Sequence, residues 1–125
     1  MGKVTGIGGL FFRSKDHVAL GKWYEKYFGI KTVGSGEVWK TEAGTTVFAP
    51  FKADTKYFSE PQQFMVNFRV DELDEFLETL KADGIKIDEH CEEMSMGKFA
   101  WVYDPDGNKI ELWEPTPENE WRDDA

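Results

Sequence analysis

The spacing of apolar residues predicts two amphipathic helices. The first begins after Asp16, which can accept an N-cap hydrogen bond, and ends at Gly29, which tolerates a left-handed backbone. The second follows Asp71 and ends at Gly84. Both repeat their apolar side chains every three or four residues, as a helix with one buried face requires. In the first helix these side chains are Leu20, Trp23, Tyr24, Tyr27 and Phe28.

Short apolar runs bounded by glycine and polar residues predict strands on either side of each helix. The predicted strands cover residues 4–13, 30–33, 37–41 and 45–50 in the first half and 62–70, 85–87, 98–103 and 109–113 in the second. Pro105 and Gly107 predict a hairpin turn between the last two strands. Alternation along the last strand places Glu111 on the opposite face from Ile110 and Leu112.

The two halves repeat one pattern. The order Phe-Arg, helix, Gly-Ile-Lys occurs at Phe12 and again at Phe68, 56 residues later, and the offset after the helices is 55. The repeat predicts one α+β domain built from two tandem βαβββ modules, because each module alone would leave a sheet face uncovered. Module one covers about residues 4–51, a linker 52–61, module two 62–115 and an acidic, mobile tail 116–125, which Trp121 could pin to the body.

Composition and net charge argue against some classes of partner and indicate a cellular compartment. The 125 residues carry a net charge of -9, and the 15 basic residues are scattered, which argues against nucleic acid and anionic membrane as partners. A mean hydropathy of -0.56 leaves no room for a transmembrane span. The single cysteine, Cys91, fits a reducing compartment, so the predicted location is cytoplasmic.

Three segments, FFRSKD…WYEKYFGI, FMVNFRVDELDEFLETLKADGI and FAWVYDPDGNKIELWEP, combined with the repeat, resemble the vicinal oxygen chelate superfamily. This superfamily includes glyoxalase I, bleomycin-resistance proteins and extradiol dioxygenases. The resemblance implies one curved mixed sheet with a concave cup for the ligand and helices on the convex side. Its metal enzymes place ligands on the first and last strands of each module, and the substrate chelates a divalent metal through two adjacent oxygens.

Carried over to this chain, the four ligand positions fall on Gly9, Phe48, Met65 and Glu111. Only Glu111 can ligate a metal, whereas a catalytic zinc-type site needs three or four ligands. The sequence therefore predicts no metal and no other cofactor. A divalent metal recruited through other residues is the disfavoured alternative.

Glu111 is the predicted catalytic residue, because a carboxylate between two aliphatic neighbours is costly to bury without a role. If the cup is as apolar as Gly9, Phe48 and Met65 imply, the charge is disfavoured there, and Glu111→Gln should be at least as stable as the parent. The alternative is a structural carboxylate paired with a nearby Lys or Arg.

The histidines give weaker signals. His17 falls in the first turn of the first helix and is interpreted as a surface residue. Residues 90–93 read His-Cys-Glu-Glu and resemble a metal-ligand cluster, but sequence neighbours point in different directions. We do not predict a metal site there.

Strand alternation also yields candidate ligand-binding residues on the predicted concave side. Arg13 and Arg69, related by the repeat, could together bind a carboxylate or phosphate, or could instead pair with Asp16 and Asp71. The rings of Trp39, Phe48, Trp101 and Trp113 could line the cup or pack in the core. The predicted substrate-binding set is Phe11, Arg13, Trp39, Phe48, Met65, Asn67, Arg69, Trp101 and Trp113.

Three functions remain open on the sequence. The first is a metal-independent, bleomycin-resistance-like protein that binds a small molecule in the cup, and whose open sheet edges predict a homodimer. The second is a superfamily enzyme, a glyoxalase-like lyase, isomerase or dioxygenase, that uses Glu111 as an acid, a base or a metal ligand. The third is an interaction domain whose cup is filled by its own side chains.

Overall fold

The computed structural model describes residues 2–32 and 36–122. Its elements are helix α1 (His17–Phe28), strand β1 (Asn67–Arg69), helix α2 (Leu73–Ala82), strands β2 (Ile87–Met94), β3 (Gly97–Tyr103) and β4 (Lys109–Pro115), and a 3-10 turn (Glu118–Glu120). Among these residues, no helix combines the length and the apolar character that crossing a membrane demands.

Both predicted helices form. The Asp16 carboxylate accepts a hydrogen bond from the Ala19 backbone N–H at 3.1 Å and caps α1, and Gly29 ends it at φ 68°. Helix α2 starts after Glu72, which has an unusual positive φ of 48°, and Gly84 follows its end at φ 77°.

The strands of the described chain form one open mixed sheet in the order β1-β4-β3-β2. Strand β1 runs parallel to β4, whereas β3 is antiparallel to both β4 and β2. The order β1, α2, β2, β3, β4 is the βαβββ order predicted for the second half, and the α+β class is confirmed. The predicted strand 62–70 shortens to Asn67–Arg69. The predicted strand 85–87 is replaced by Ile87–Met94, a polar edge strand that periodicity did not reveal.

In the first half, the segments 4–13, 37–41 and 45–50 contain no strand, which corrects those predictions, and the tandem arrangement is not confirmed. Residues 30–32 of the predicted strand 30–33 also contain no strand, and position 33 lies outside the described residues. A strand needs a hydrogen-bonded neighbour, which an apolar run does not supply by itself. Several large side chains of these segments are exposed, among them Val4 at 93%, Phe11 at 90% and Phe48 at 85%.

Helices α1 and α2 pack against the same face of the sheet. This face is the one that carries Ile110 and Leu112, as the alternation predicted. Burying each large aliphatic side chain contributes about 1.5–3 kcal/mol. The buried cluster contains Leu20, Tyr24, Leu73, Leu80, Ala100, Val102, Ile110 and Leu112.

The turn between β3 and β4 is organised by Asp104, a carboxylate only 5% exposed. It accepts hydrogen bonds from the backbone N–H groups of Asp106 and Asn108 and from the Asn108 amide. The Tyr24 hydroxyl donates to it at 2.7 Å. Burial, followed by this bond, raises the pKa of Tyr24. The hairpin turn is thereby attached to α1.

The opposite side of the sheet, here called the helix-free face, carries the functional candidates. Strand register aligns Glu111 with Asn67 on one side and with Trp101 on the other. Trp113 follows Glu111 on this face, and Trp121 of the tail packs on it at 5.8 Å. The Arg122 N–H also bonds to Ser95. Trp121 thereby attaches the tail to the sheet, as the sequence allowed, while residues 123–125 lie outside the described residues.

Candidate functional site

The Glu111 carboxylate is the centre of a hydrogen-bonded cluster on the helix-free face. The Asn67 side-chain amide donates to Oε1 at 2.7 Å. The Tyr57 hydroxyl and the Trp101 indole N–H donate to Oε2 at 2.6 and 3.1 Å. Hydrogen bonds to an ionised acceptor are among the stronger ones in proteins. These neutral donors satisfy the carboxylate, and they take the place of the Lys or Arg partner that the structural alternative assumed.

Asn67 and Trp101 reach Glu111 because of strand register. Asn67 of β1 and Trp101 of β3 are the direct neighbours of Glu111 on the two sides of β4. Directly opposed residues have their side chains on the same face, with Cβ atoms about 5 Å apart. The sheet therefore fixes two of these donors before any loop is considered.

Tyr57 comes from the predicted linker and was not among the predicted site residues. Its ring contacts Trp101 edge-on at a centroid distance of 5.9 Å. Burial, and next the bond to Glu111, raises the pKa of Tyr57, so the phenol keeps its proton and acts as a donor. The signal in the sequence was the aromatic pair Tyr57 and Phe58 in a polar segment without periodicity.

Lys109 and Gln62 fasten this segment to the start of β4. The Lys109 ammonium donates to the Tyr57 carbonyl at 2.7 Å and lies 5.0 Å from the Tyr57 ring and 5.4 Å from the Trp101 ring. The Gln62 side chain accepts from the Lys109 N–H and donates to its carbonyl, both at 2.9 Å. The Gln62 side chain thus makes the two backbone hydrogen bonds to Lys109 that a neighbouring strand would otherwise make.

His90 covers the other side of Trp101. The two rings stack with centroids 5.4 Å apart, and His90 Nε2 lies 2.9 Å from Glu92 Oε1. Cys91 is in register with Ala100, a core residue, and so faces away from this site. Within residues 2–32 and 36–122, no three His, Cys, Asp or Glu side chains are grouped to hold a metal ion.

Asp88 supports the edge of the site. Its Oδ1 accepts the His90 backbone N–H at 2.9 Å, and its Oδ2 accepts the Tyr103 hydroxyl at 3.1 Å. The bond from His90 is the main cause of a lowered pKa of Asp88, to which Tyr103 and the charge of Lys109 also contribute.

A cavity of about 290 Å³ lies between residues 55–62 and the β3–β4 hairpin. It shares Tyr57 and Lys109 with the Glu111 cluster. Its lining consists of three rings, two lysines, one glutamate and several small polar residues. They are Thr55, Lys56, Tyr57, Phe58, Ser59, Glu60, Gln62, Tyr103, Gly107 and Lys109.

Among the predicted site residues, the structure brings Asn67, Trp101 and Glu111 into direct contact. Arg69 and Trp113 lie further along the same face but bind elsewhere. The Arg69 guanidinium donates to the carbonyls of Thr45 at 3.2 Å and Glu42 at 2.8 Å. Trp113 is 2% exposed and donates to the Met96 carbonyl. These two residues hold neighbouring segments in place.

The candidates from the first half lie away from the Glu111 cluster. Phe11, Arg13 and Phe48 are exposed. Trp39 packs on Phe68 at 6.1 Å, and Phe68 belongs to the core side of β1. The physical reason is that alternation assigns faces only within a sheet, and these segments are not part of one. Met65, from the second half, precedes β1 and is partly buried.

The residues that the resemblance assigns to the superfamily's ligand positions do not fit a divalent metal. Gly9 and Phe48 lie on segments outside the sheet, and neither they nor Met65 offers an oxygen or nitrogen side-chain donor. Both Glu111 oxygens already accept hydrogen bonds from N–H or O–H groups.

The comparison with protein families gives one match. A model described as the Glyoxalase/Bleomycin resistance protein/Dioxygenase superfamily matches residues 6–112. The matched segment includes both described α-helices and continues to Leu112, immediately after Glu111. No curated protein matches the sequence. Because the match spans most of the 125 residues, the chain belongs to the glyoxalase/bleomycin resistance protein/dioxygenase superfamily.

Proposed function

We propose that this protein binds a small molecule on the helix-free face, in the cavity beside Glu111, without the metal centre of the superfamily's enzymes. The observation that carries the proposal is the set of hydrogen bonds that Asn67, Tyr57 and Trp101 donate to Glu111 next to this cavity. A carboxylate held in this way acts as an anchor for its surroundings.

The anchor gives the cavity a fixed wall. Tyr57 is held by its hydroxyl at Glu111 and by its carbonyl at Lys109, so both ends of the residue are attached to β4. Small-molecule sites are typically concave, largely apolar and formed before the ligand arrives. The cavity also favours binding over the interpretation of a cup filled by its own side chains.

Ligand-detected and protein-detected NMR with a fragment library tests this proposal. We expect bound fragments to shift the indole N–H resonance of Trp101 and the backbone amides of Tyr57 and Lys109. Trp23 provides the internal control, because it lies on α1, on the other side of the sheet. A library that yields no binder, or binders that shift Trp23 alone, would contradict the proposal.

Metal independence is part of the proposal and rests on the donor set. Purified protein should contain no stoichiometric divalent metal, since Gly9, Phe48 and Met65 cannot ligate and Glu111 is engaged by hydrogen-bond donors. Elemental analysis checks this expectation. One zinc, nickel, iron or manganese per chain that is lost in Glu111→Gln would refute it.

A second candidate function is a superfamily enzyme, a lyase, isomerase or dioxygenase. The observation in its favour is the 2.6 Å bond between Tyr57 and Glu111, which pairs a proton donor with a carboxylate beside a cavity. In that case Glu111 acts as the base and Tyr57 as the acid. Turnover of a superfamily substrate that disappears in both Glu111→Gln and Tyr57→Phe would establish this function over simple binding.

We also propose a homodimer. Val4, Phe11 and Phe48 expose large apolar surfaces, and within the described chain β1 pairs with β4 alone, which leaves its other edge open. Exposed apolar patches and free sheet edges are typical of association surfaces. Sedimentation at micromolar concentration should give twice the chain mass of 14.4 kDa, whereas a clean monomer would contradict the dimer.

A further inference from the structure

We infer that the cavity between residues 55–62 and the β3–β4 hairpin selects a small aromatic acid, which is a single ring that carries one carboxylate. The inference rests on the proposed binding function and adds the chemical class of the ligand. Three features of the lining lead to it: the surfaces of its rings, the position of its ammonium groups and its volume.

The rings of the cavity are available as apolar walls. Tyr57 and Tyr103 both line it, yet their hydroxyls are already bonded to the carboxylates of Glu111 and Asp88. Phe58 has no polar group and is supported by Phe51 at 5.8 Å. A lysine lies over each tyrosine ring, since the Lys109 ammonium is 5.0 Å from the Tyr57 ring and the Lys86 ammonium 4.5 Å from the Tyr103 ring. A ligand ring can therefore meet these rings edge-to-face, an arrangement that aromatic pairs favour.

The ammonium groups favour an anion. Lys109 donates to the Tyr57 carbonyl, and its remaining N–H groups have no acceptor within the described residues. Lys56 supplies a second ammonium to the lining. The carboxylate among the lining residues is that of Glu60, which is exposed. A lysine with free donors in a ring-lined cavity matches a carboxylate, which accepts several hydrogen bonds.

The same lysine disfavours a cationic ligand. A cation would seek the face of an aromatic ring, but the Lys109 ammonium already lies over Tyr57 at 5.0 Å and over Trp101 at 5.4 Å. An incoming cation would therefore meet a like charge at the best cation-binding position.

The volume is consistent with a small ligand. Pockets for drug-sized molecules range from about 300 to 1,000 Å³, and this cavity has about 290 Å³. A single ring with a short acidic substituent fits within this space.

Titration calorimetry and saturation-transfer NMR with four matched probes test the inference. Benzoate carries both features, benzamide lacks the charge, benzylamine reverses it, and cyclohexanecarboxylate lacks the aromatic ring. We expect benzoate to bind at least about tenfold more tightly than benzamide and benzylamine, a difference of the size that one charge-assisted contact provides. Benzoate should also bind more tightly than cyclohexanecarboxylate, which keeps the charge but loses the ring–ring contacts.

Variants link this preference to the lysines. Lys109→Gln should weaken benzoate at least about tenfold more than it weakens benzamide, whose own change reports any loss of the Tyr57 wall, and Lys56→Gln should produce a smaller loss of the same kind. Lys98→Gln is the control, because Lys98 lies on the same sheet but pairs with Asp74 at 3.4 Å. Lys56→Gln keeps the test meaningful if Lys109→Gln displaces Tyr57, since Lys56 is exposed.

The outcomes separate this inference from the proposed function. Equal or tighter binding of benzamide, benzylamine or cyclohexanecarboxylate overturns the aromatic-acid class. So does failure of all four probes when library fragments still shift Trp101 and Tyr57, although the binding function then stands. Failure of the probes together with an empty library screen overturns both.

Discussion

The hydroxyl of Tyr57 lies 2.6 Å from Oε2 of Glu111 and joins a segment without regular structure to an interior strand of the sheet. No feature of the local sequence at either residue requires this pair, which is separated by 54 positions. This hydrogen bond fixes the position of Tyr57, which forms part of one wall of the cavity.

Tyr57→Phe should lower the free energy of unfolding by about 1–2 kcal/mol, because a donor to a charged, partly buried acceptor is lost while the ring is kept. Urea titration measures the change. Tyr27→Phe on α1 is the matched control and should change stability little, since the Tyr27 ring packs on Trp23. Equal effects of the two substitutions would mean that the bond to Glu111 adds nothing.

Glu111→Gln should lower the free energy of unfolding by about 1–3 kcal/mol at neutral pH. The apolar-cup argument predicted the opposite, but it did not foresee that Asn67, Tyr57 and Trp101 all donate to this side chain. A glutamine amide offers one acceptor oxygen, so its N–H₂ group must face at least one of these donors.

Denaturant titration of Glu111→Gln beside Glu78→Gln, an exposed glutamate of α2, isolates the effect. If the Glu111 variant is as stable as the Glu78 variant, the carboxylate does not anchor the cavity wall.

Gly97→Ala should be far more damaging than Gly107→Ala. Gly97 has φ 137°, and an added Cβ would lie 2.1 Å from the Glu114 carbonyl oxygen, which is backbone and cannot move aside cheaply. Gly107 has φ 84° with nothing within 4 Å, so its variant bears backbone strain alone, roughly 1–2 kcal/mol. We expect a loss of about 3 kcal/mol or more for Gly97→Ala. Similar melting temperatures of the two variants would contradict the close approach of β3 and β4.

Stability should decline at high pH. Burial is the main cause that raises the pKa of Tyr24 and of Tyr57 above the ordinary 10.0, with Asp104 and Glu111 as the second causes. The native state therefore keeps these protons where the unfolded chain loses them, so the stability they provide is complete below about pH 10 and is lost as the pH rises further. Urea titrations from about pH 8 to about pH 11 should give a smaller decline for Tyr57→Phe than for the parent. Parallel pH profiles would rule out a shifted Tyr57.

Local and periodic features of the site followed from the sequence because their causes are local. The apolar spacing around Tyr24 specifies a helix, and the alternation along β4 puts Glu111 opposite Ile110 and Leu112. The resemblance likewise identified the superfamily, which the family comparison confirms. The strand register that brings Asn67 and Trp101 to the face of Glu111 was, by contrast, not predicted.

What the tertiary structure decided depends on contacts between distant segments. Strand β2 is a polar edge strand whose pairing with β3 takes the place of a hydrophobic pattern. The described segments of the first half lack strand partners despite their apolar runs. Tyr57 reaches Glu111 because Lys109 and Gln62 fasten its segment to β4. The sequence by itself determined the two helices and the face on which Glu111 lies, since both follow from the 3.6- and 2-residue periods of the backbone. Only the tertiary structure decided which donors surround that carboxylate. The position of a loop is set by a few long-range hydrogen bonds, and no periodic pattern in the sequence indicates them.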